Sequence, residues 1–182
     1  MTLFNNKYRV ESARLKGWDY TSTGLYFITI NTYQMRVFFG NIKNGQMILN
    51  DAGKVIDEEW RNTAKLRNNV ILDEYQVMPN HFNGIIALSK KSSHSKPETP
   101  QLHKQSGRGF HTEAKMYADS VGSIINQFKG MCTKRIQLFN KSFRWKSRFY
   151  DRVIRNENEL ENIRRYIFYN PLKWEADEFY TI

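Results

Sequence analysis

The sequence predicts an α+β domain built on an antiparallel sheet, and three observations carry that reading. Runs of aromatic and β-branched residues are interleaved with amphipathic helical segments, an Asn-Gly pair sits between two short apolar runs, and a stretch late in the chain alternates large apolar with basic side chains. Leu25 to Tyr33 is aromatic and β-branched, the composition of a central strand. Met35 to Leu49 holds two short apolar runs about Asn44-Gly45, a two-residue hairpin signal. From Asp51 to Leu66, Val55, Ile56, Trp60 and Ala64 recur at helical spacing, with Asn50 or Asp51 as the cap. Val70 to Met78 and Phe82 to Leu88 read as strands joined at Pro79-Asn80. Ser120 caps a helix whose apolar face is Val121, Ile124, Ile125, Phe128 and Cys132. Phe143 to Val153 reads as a strand, with Phe143, Trp145, Phe149 and Val153 on one side and Arg144, Lys146, Arg148 and Arg152 on the other. Asn156 caps a last helix, with Glu159 at its third position in a capping-box-like start, and Asn170-Pro171 ends it.

With the hairpin set aside, the order is β-α-β-β-α-β plus a C-terminal helix. That is the split βαβ, ferredoxin-like sandwich: an antiparallel sheet with helices on one face and the other face free for a partner. At 182 residues, 40% hydrophobic and 14% aromatic, the chain can bury a core, which excludes a disordered or collagen-like protein. A single domain over residues 1–182 is expected, interrupted by a flexible polar loop at about residues 89–118, where large apolar side chains are almost absent.

Charge narrows the class. With 28 Lys+Arg against 18 Asp+Glu the net charge is +10, which points towards a polyanion such as nucleic acid. The excess is concentrated: Val121 to Arg155 carries nine basic residues and one acid. Lys129, Lys134, Arg144, Lys146, Arg148 and Arg152 are the candidate phosphate contacts, and Phe110 or Tyr117 candidates for stacking on bases. No run approaches the roughly 18 apolar residues of a membrane span, and Met1 to Tyr8 lacks the apolar core of a signal peptide. One cysteine, Cys132, allows no intrachain disulfide and no cysteine-cluster metal site. A cytoplasmic, nucleoid-associated protein is expected, with no membrane partner.

Two constellations carry chemistry. His81 stands at a strand entrance with Asn83 two residues on, so both side chains share a face and together can chelate one ion. On the last helix Tyr166 and Asn170 are four apart and share a face, Glu159 lies on nearly the same line, and Leu160, Ile163 and Ile167 form the apolar stripe. Tyr169 is an equally plain tyrosine candidate on physical grounds.

Several segments in order resemble one family: Met78-Pro79-Asn80-His81-Phe82-Asn83-Gly84-Ile85-Ile86, the helix Ser123-Ile124-Ile125-Asn126-Gln127-Phe128-Lys129, the stretch from Trp145 through Tyr150-Asp151-Arg152-Val153-Ile154-Arg155-Asn156, and Tyr166-Ile167-Phe168-Tyr169-Asn170-Pro171-Leu172-Lys173-Trp174. Over roughly Gly24 to Trp174 the chain resembles the single-tyrosine HUH transposases, in particular their REP-associated branch. The resemblance implies a homodimer acting on single-stranded or hairpin-containing DNA. It implies Tyr166 as the nucleophile that forms a covalent 5′-phosphotyrosine, His81 as the first metal histidine and Asn170 as the polar residue that completes the site for Mg²⁺ or Mn²⁺. The chain departs from the pattern at Asn83, which stands where the family has its second histidine. A hard amide oxygen suits Mg²⁺ better than a transition metal, so the departure leaves two outcomes: an altered metal site, or a non-catalytic DNA-binding regulatory dimer. An RNA-binding module of the same fold is a third class, without its usual Gly-Phe-rich strand signature.

Overall fold

The computed structural model describes residues 18–89 and 119–176. The predicted polar loop therefore lies outside the described residues from residue 90 on, as do Phe110 and Tyr117. Six strands and three helices follow in the order β1 (Gly24–Asn31), β2 (Gly40–Lys43), β3 (Gln46–Leu49), α1 (Asp51–Lys65), β4 (Val70–Val77), β5 (His81–Leu88), α2 (Val121–Ile136), β6 (Tyr150–Ile154) and α3 (Glu157–Tyr169). The fold is mixed α/β, with a four-stranded antiparallel sheet in the order β4-β5-β1-β6 and a separate β2-β3 hairpin.

The local signals behave as their chemistry requires. The side chains of Asn50, Ser120 and Asn156 each accept from the backbone N–H three residues on, at 3.0, 3.2 and 2.9 Å, and start the three helices. Asn44 and Gly45 both adopt positive φ, 52° and 71°, as a two-residue hairpin turn of this twist demands.

One face of the sheet packs on α1 and α2. Tyr26, Ile28 and Ile30 of β1, Phe82, Ile86 and Leu88 of β5, Ile56 and Trp60 of α1, and Ile124, Ile125 and Phe128 of α2 form one buried cluster. Its centre is aromatic: the Trp60 ring lies 4.6 Å from that of Phe82 and 5.3 Å from that of Phe128. Gly84 makes room for this, because a Cβ there would come within 2.9 Å of both Trp60 and Phe82.

Two expectations are corrected. First, the other face of the sheet is not free. Leu25, Phe27, Ile85 and Ile154 point to it and pack against Leu160, Ile163 and Ile167 of α3, so α3 covers the face opposite α1 and α2. Second, the strand expected over Phe143 to Val153 is regular only from Tyr150. Phe143 and Trp145 keep the alternation because they plug the core against Phe39, with ring centroids 5.7 and 5.3 Å away. Their backbone meets the sheet at the Thr32–Trp145 bridge and where Lys146 N–H donates to Asn31 O at 2.9 Å.

The placement of α3 is fixed by an ion pair as well as by apolar contacts. The register of β4 shifts between Leu72 and Tyr75. From this irregularity Asp73 accepts Nε–H and Nη2–H of Arg164 at 2.8 and 2.6 Å, a two-point fork. The Arg164 hydrogen bonds hold the Asp73 carboxyl below its ordinary pKa.

Candidate functional site

The site forms at the end of β1 and the start of β5, on the face that α3 covers. Side chains alternate along a strand, and Phe27 and Ile85 of this face are packed under α3, so Thr29 and Asn31 of β1 and His81 and Asn83 of β5 share it. In register, Asn31 stands opposite His81 and Thr29 opposite Asn83.

His81 is fully buried. Its orientation comes from a chain of contacts that begins in the backbone. Gln34 and Met35 have left-handed φ angles of 56° and 54°, unusual for residues with side chains. The Met35 carbonyl accepts Nδ2–H of Asn80 at 3.0 Å, which orients the Asn80 amide and directs its oxygen at Nδ1 of His81, 2.9 Å away. Nδ1 therefore carries the hydrogen and Nε2 the lone pair, the tautomer a metal ligand needs. Burial pushes the His81 pKa down to about 3, so the ring is neutral at physiological pH. The indole of Trp174 covers it, with ring centroids 6.1 Å apart.

Asn83 is equally buried, and its oxygen is engaged: Thr29 Oγ1–H donates to Oδ1 at 2.7 Å. The Nδ2 of Asn83 is buried without a hydrogen bond. Asn170 ends α3 and is 2% exposed. Neither its amide nitrogen nor its oxygen has a hydrogen-bond partner. A buried polar atom left unpaired costs about 1–3 kcal/mol. Buried groups of this kind call for a partner such as an ion or an ordered water.

Tyr166 lies one turn before Asn170 and is 43% exposed. Its ring stands edge-on to Phe27 at 6.0 Å, and Tyr150 of β6 meets the same Phe27 ring at 6.5 Å. The α3 helix thus carries a reachable phenol over the middle of the face and a buried amide towards the His81 end. Glu159, expected near the same line, is used elsewhere: its carboxylate accepts Arg155 N–H at 2.9 Å and pairs with Arg152 at 2.7 Å, at the start of α3. Tyr169 packs on Phe168 rather than on the sheet. Among the described residues no group of three His, Cys, Asp or Glu side chains converges on a point, so any cation here relies on one imidazole and on amides.

The six basic candidates separate. Lys134, Arg144 and Lys146 line an open groove of about 470 Å³ between α2 and the 144–147 segment, with Gly130, Thr133 and Trp145. Lys129 reaches the same place but is buried. Its ammonium donates to the carbonyls of Lys146 and Ser147 at 2.8 and 3.1 Å, so it ties the segment to α2 instead of facing solvent. Desolvation lowers its pKa. Arg152 belongs to the face under α3, where it pairs with Glu159. Arg148 is exposed between the two regions. The period-two pattern marked Arg144, Lys146, Arg148 and Arg152 as one basic face. Thr29, Asn31, Asn80 and Trp174 were not marked as site residues; Asn80 adjoins His81 in sequence, and strand register and the turn after α3 bring the others to it.

The comparisons with known proteins agree in direction. No protein-family model matches the chain. An uncharacterised protein of Haemophilus influenzae is 35% identical over 174 residues, covering 93% of this chain and 92% of that one. A second protein of the same organism, assigned by name to the REP-associated tyrosine transposases, is 22% identical over 169 residues, with 85% of this chain and 74% of that protein covered. Among solved structures, a REP-associated tyrosine transposase bound to a REP hairpin superposes with a TM-score of 0.53 at 18% identity, over 83% of this chain and 68% of the other. Among the described residues no helix is long and apolar enough to cross a membrane.

Proposed function

We propose that the chain, which is similar to the REP-associated tyrosine transposases, is a DNA transesterase that cuts and rejoins a hairpin-bearing single strand through Tyr166. The observation that carries this reading is the pairing on one helix of the exposed Tyr166 with the buried, unsatisfied Asn170, above the face that holds a neutral His81. In the reaction the Tyr166 oxygen attacks the scissile phosphorus. The O–P bond to tyrosine forms, the P–O3′ bond breaks, the phenolic proton is given up to solvent and the departing 3′ oxygen takes one. Attack by another 3′-hydroxyl on the phosphotyrosine reverses the step, so no external energy source is needed.

His81, Asn170 and Asn83 would hold a divalent cation, Mg²⁺ or Mn²⁺. Their fit rests on the His81 tautomer set by Asn80 and on the unbonded oxygen of Asn170; the oxygen of Asn83 would have to be shared with Thr29. A cation bound there polarises a nonbridging phosphate oxygen and offsets the charge that develops on it. Lys134, Arg144, Lys146 and Arg148 supply the phosphate contacts, with affinity that falls as salt rises. The strand order and the helical crossovers support a ferredoxin-like core, and the family supports action as a homodimer at the nucleoid.

A specific observation favours a second reading. The oxygen of Asn83 is already bonded to Thr29, which suits a protein that binds DNA without cutting it. One experiment separates the two. A labelled DNA hairpin with single-stranded flanks is incubated with protein and Mg²⁺ or Mn²⁺, then resolved under denaturing conditions. The transesterase gives a covalent protein–DNA adduct that Tyr166→Phe abolishes. A retarded band on a native gel with no adduct under either ion overturns the catalytic reading and leaves the DNA-binding one.

A further inference from the structure

We infer that Asn31 supplies the donor that Asn83 withholds, so that the cation is held by His81, Asn31 and Asn170; this rests on the divalent-cation reading above. The argument starts from register. Asn31 is the β1 residue directly opposite His81, and opposed side chains on one face of an antiparallel pair bring their Cβ atoms to about 5 Å. Its Oδ1 is buried with no hydrogen-bond partner. An amide oxygen in that condition is costly unless something positive meets it. Its backbone is fixed, because the Asn31 carbonyl accepts Lys146 N–H at 2.9 Å while the strand pairs with β5 on its other side. The donor is thus preorganised.

Asn83 is the weaker candidate for that role. Thr29 holds its oxygen, and the end of the amide left over is Nδ2, whose hydrogens repel a cation. On this view Asn83 is a positioning residue that closes the floor of the site with Thr29, and β1 rather than β5 provides the second protein oxygen.

The donor set has a consequence for its charge. Towards this end of the face β1, β4, β5 and β6 direct Thr29, Asn31, Gln76, His81, Asn83 and Tyr150, none of them a carboxylate, and Asn170 lies one turn before Trp174, whose ring covers His81. His81 is neutral. Neutral donors hold a divalent ion weakly, since affinity at hard-cation sites follows the number of charged ligands. The negative charge then has to come from a phosphate oxygen of the substrate.

The test is a Mn²⁺ titration of the full chain, with free Mn²⁺ read by electron paramagnetic resonance and folding checked by circular dichroism. Asn31→Asp is nearly isosteric and adds a charge beside His81. It is expected to lower the Mn²⁺ Kd by about tenfold or more, and Asn31→Leu to raise it by a similar factor, as Asn170→Leu does. If Asn31→Asp and Asn31→Leu bind Mn²⁺ as the parent chain does while His81→Ala and Asn170→Leu weaken it, the cation site stands and Asn31 is not part of it. If none of these four substitutions moves the Kd, the cation site itself is wrong and the inference falls with it. Should Asn31→Leu fail to fold, Asn31→Asp alone decides, because an unchanged Kd in that variant overturns the assignment.

Discussion

On the side of the sheet that meets α1 and α2, Trp60, Phe82 and Phe128 touch ring to ring and nearly every position is apolar. On the side that meets α3 the apolar contacts run from Leu25 and Ile154 to Ile85 and Ile167 and then stop. Beyond them stand Thr29, Asn31, His81 and Asn83 under Asn170, several with polar atoms unpaired. The first side holds buried polar groups too: the indole N–H groups of Trp60 and Trp145 and the carboxylate of Asp151, which stands opposite Ile28. The contrast separates two jobs that one sheet performs. One face holds the fold together, and the other is polar at one end, where the unbonded amide atoms that the proposed site would use lie.

The sharpest way to break this comparison is to truncate the dry face. Trp60→Ala removes a fully buried ring that contacts Phe82, Phe128 and Tyr75. It is expected to cost about 3–5 kcal/mol, a large part of the 5–15 kcal/mol typical of a domain. Urea denaturation followed by tryptophan fluorescence and circular dichroism measures it. A loss below about 1 kcal/mol would mean that the fold is not stored where the rings are.

Much of this division could be read from the sequence, and the parts that could not have physical reasons. Caps at Asn50, Ser120 and Asn156 and the Asn44-Gly45 turn are local chemistry and stand where the sequence puts them. The side taken by α3 is not local. Helical spacing identifies the apolar stripe Leu160, Ile163 and Ile167, but not which face of a sheet it meets. A signal was present all the same: Leu25-Tyr26-Phe27-Ile28 and Ile85-Ile86-Ala87-Leu88 are continuous apolar runs, which a strand covered on both faces requires. The stretch from Phe143 misled for a related reason. Alternation reports which side chains face inward, and Phe143 and Trp145 do so from an extended segment that meets the sheet at few points. At the site, the motif resemblance singled out Tyr166, His81 and Asn170, while type and spacing left Tyr169 an equal candidate; Asn31 has no neighbour in sequence to mark it. Only its register opposite His81 gives it a role.

A second prediction uses pH to tell the two faces apart without mutating the core. His81 is neutral in the fold, its pKa pushed from 6.5 to about 3 by burial. In the unfolded chain it takes a proton near pH 6.5, so below that pH the unfolded state binds more protons than the folded one. Stability attributable to this residue is therefore lost as pH falls from about 6.5 towards 3, at up to roughly 1.4 kcal/mol per pH unit. Asp73 moves stability in the same direction but in a lower window, because its lowered pKa matters only below the ordinary carboxylate range. Urea midpoints of the metal-free protein between pH 6 and pH 5 isolate the histidine, and His81→Leu is expected to flatten that slope. An unchanged slope in the variant would show that the ring is solvated and that this end of the face is not closed.

The smallest effect tests the idea that the α3 face is held back from its own best packing. Asn170 is buried with both amide atoms unpaired, so replacing it with leucine, which has the same branched shape and somewhat larger methyl ends, removes two orphaned groups and leaves no cavity. The expected change in folding stability is between zero and a gain of about 1 kcal/mol, since an unmade hydrogen bond is costly and its removal with retained shape is not. A structural amide would respond in the opposite sense, because its loss would break bonds that hold α3 against the sheet. Thermal unfolding of Asn170→Leu beside the parent chain reads the sign directly. A destabilisation of more than about 1 kcal/mol would assign Asn170 to the scaffold, and the division between a face that stores stability and a face that withholds it would have to be redrawn along α3.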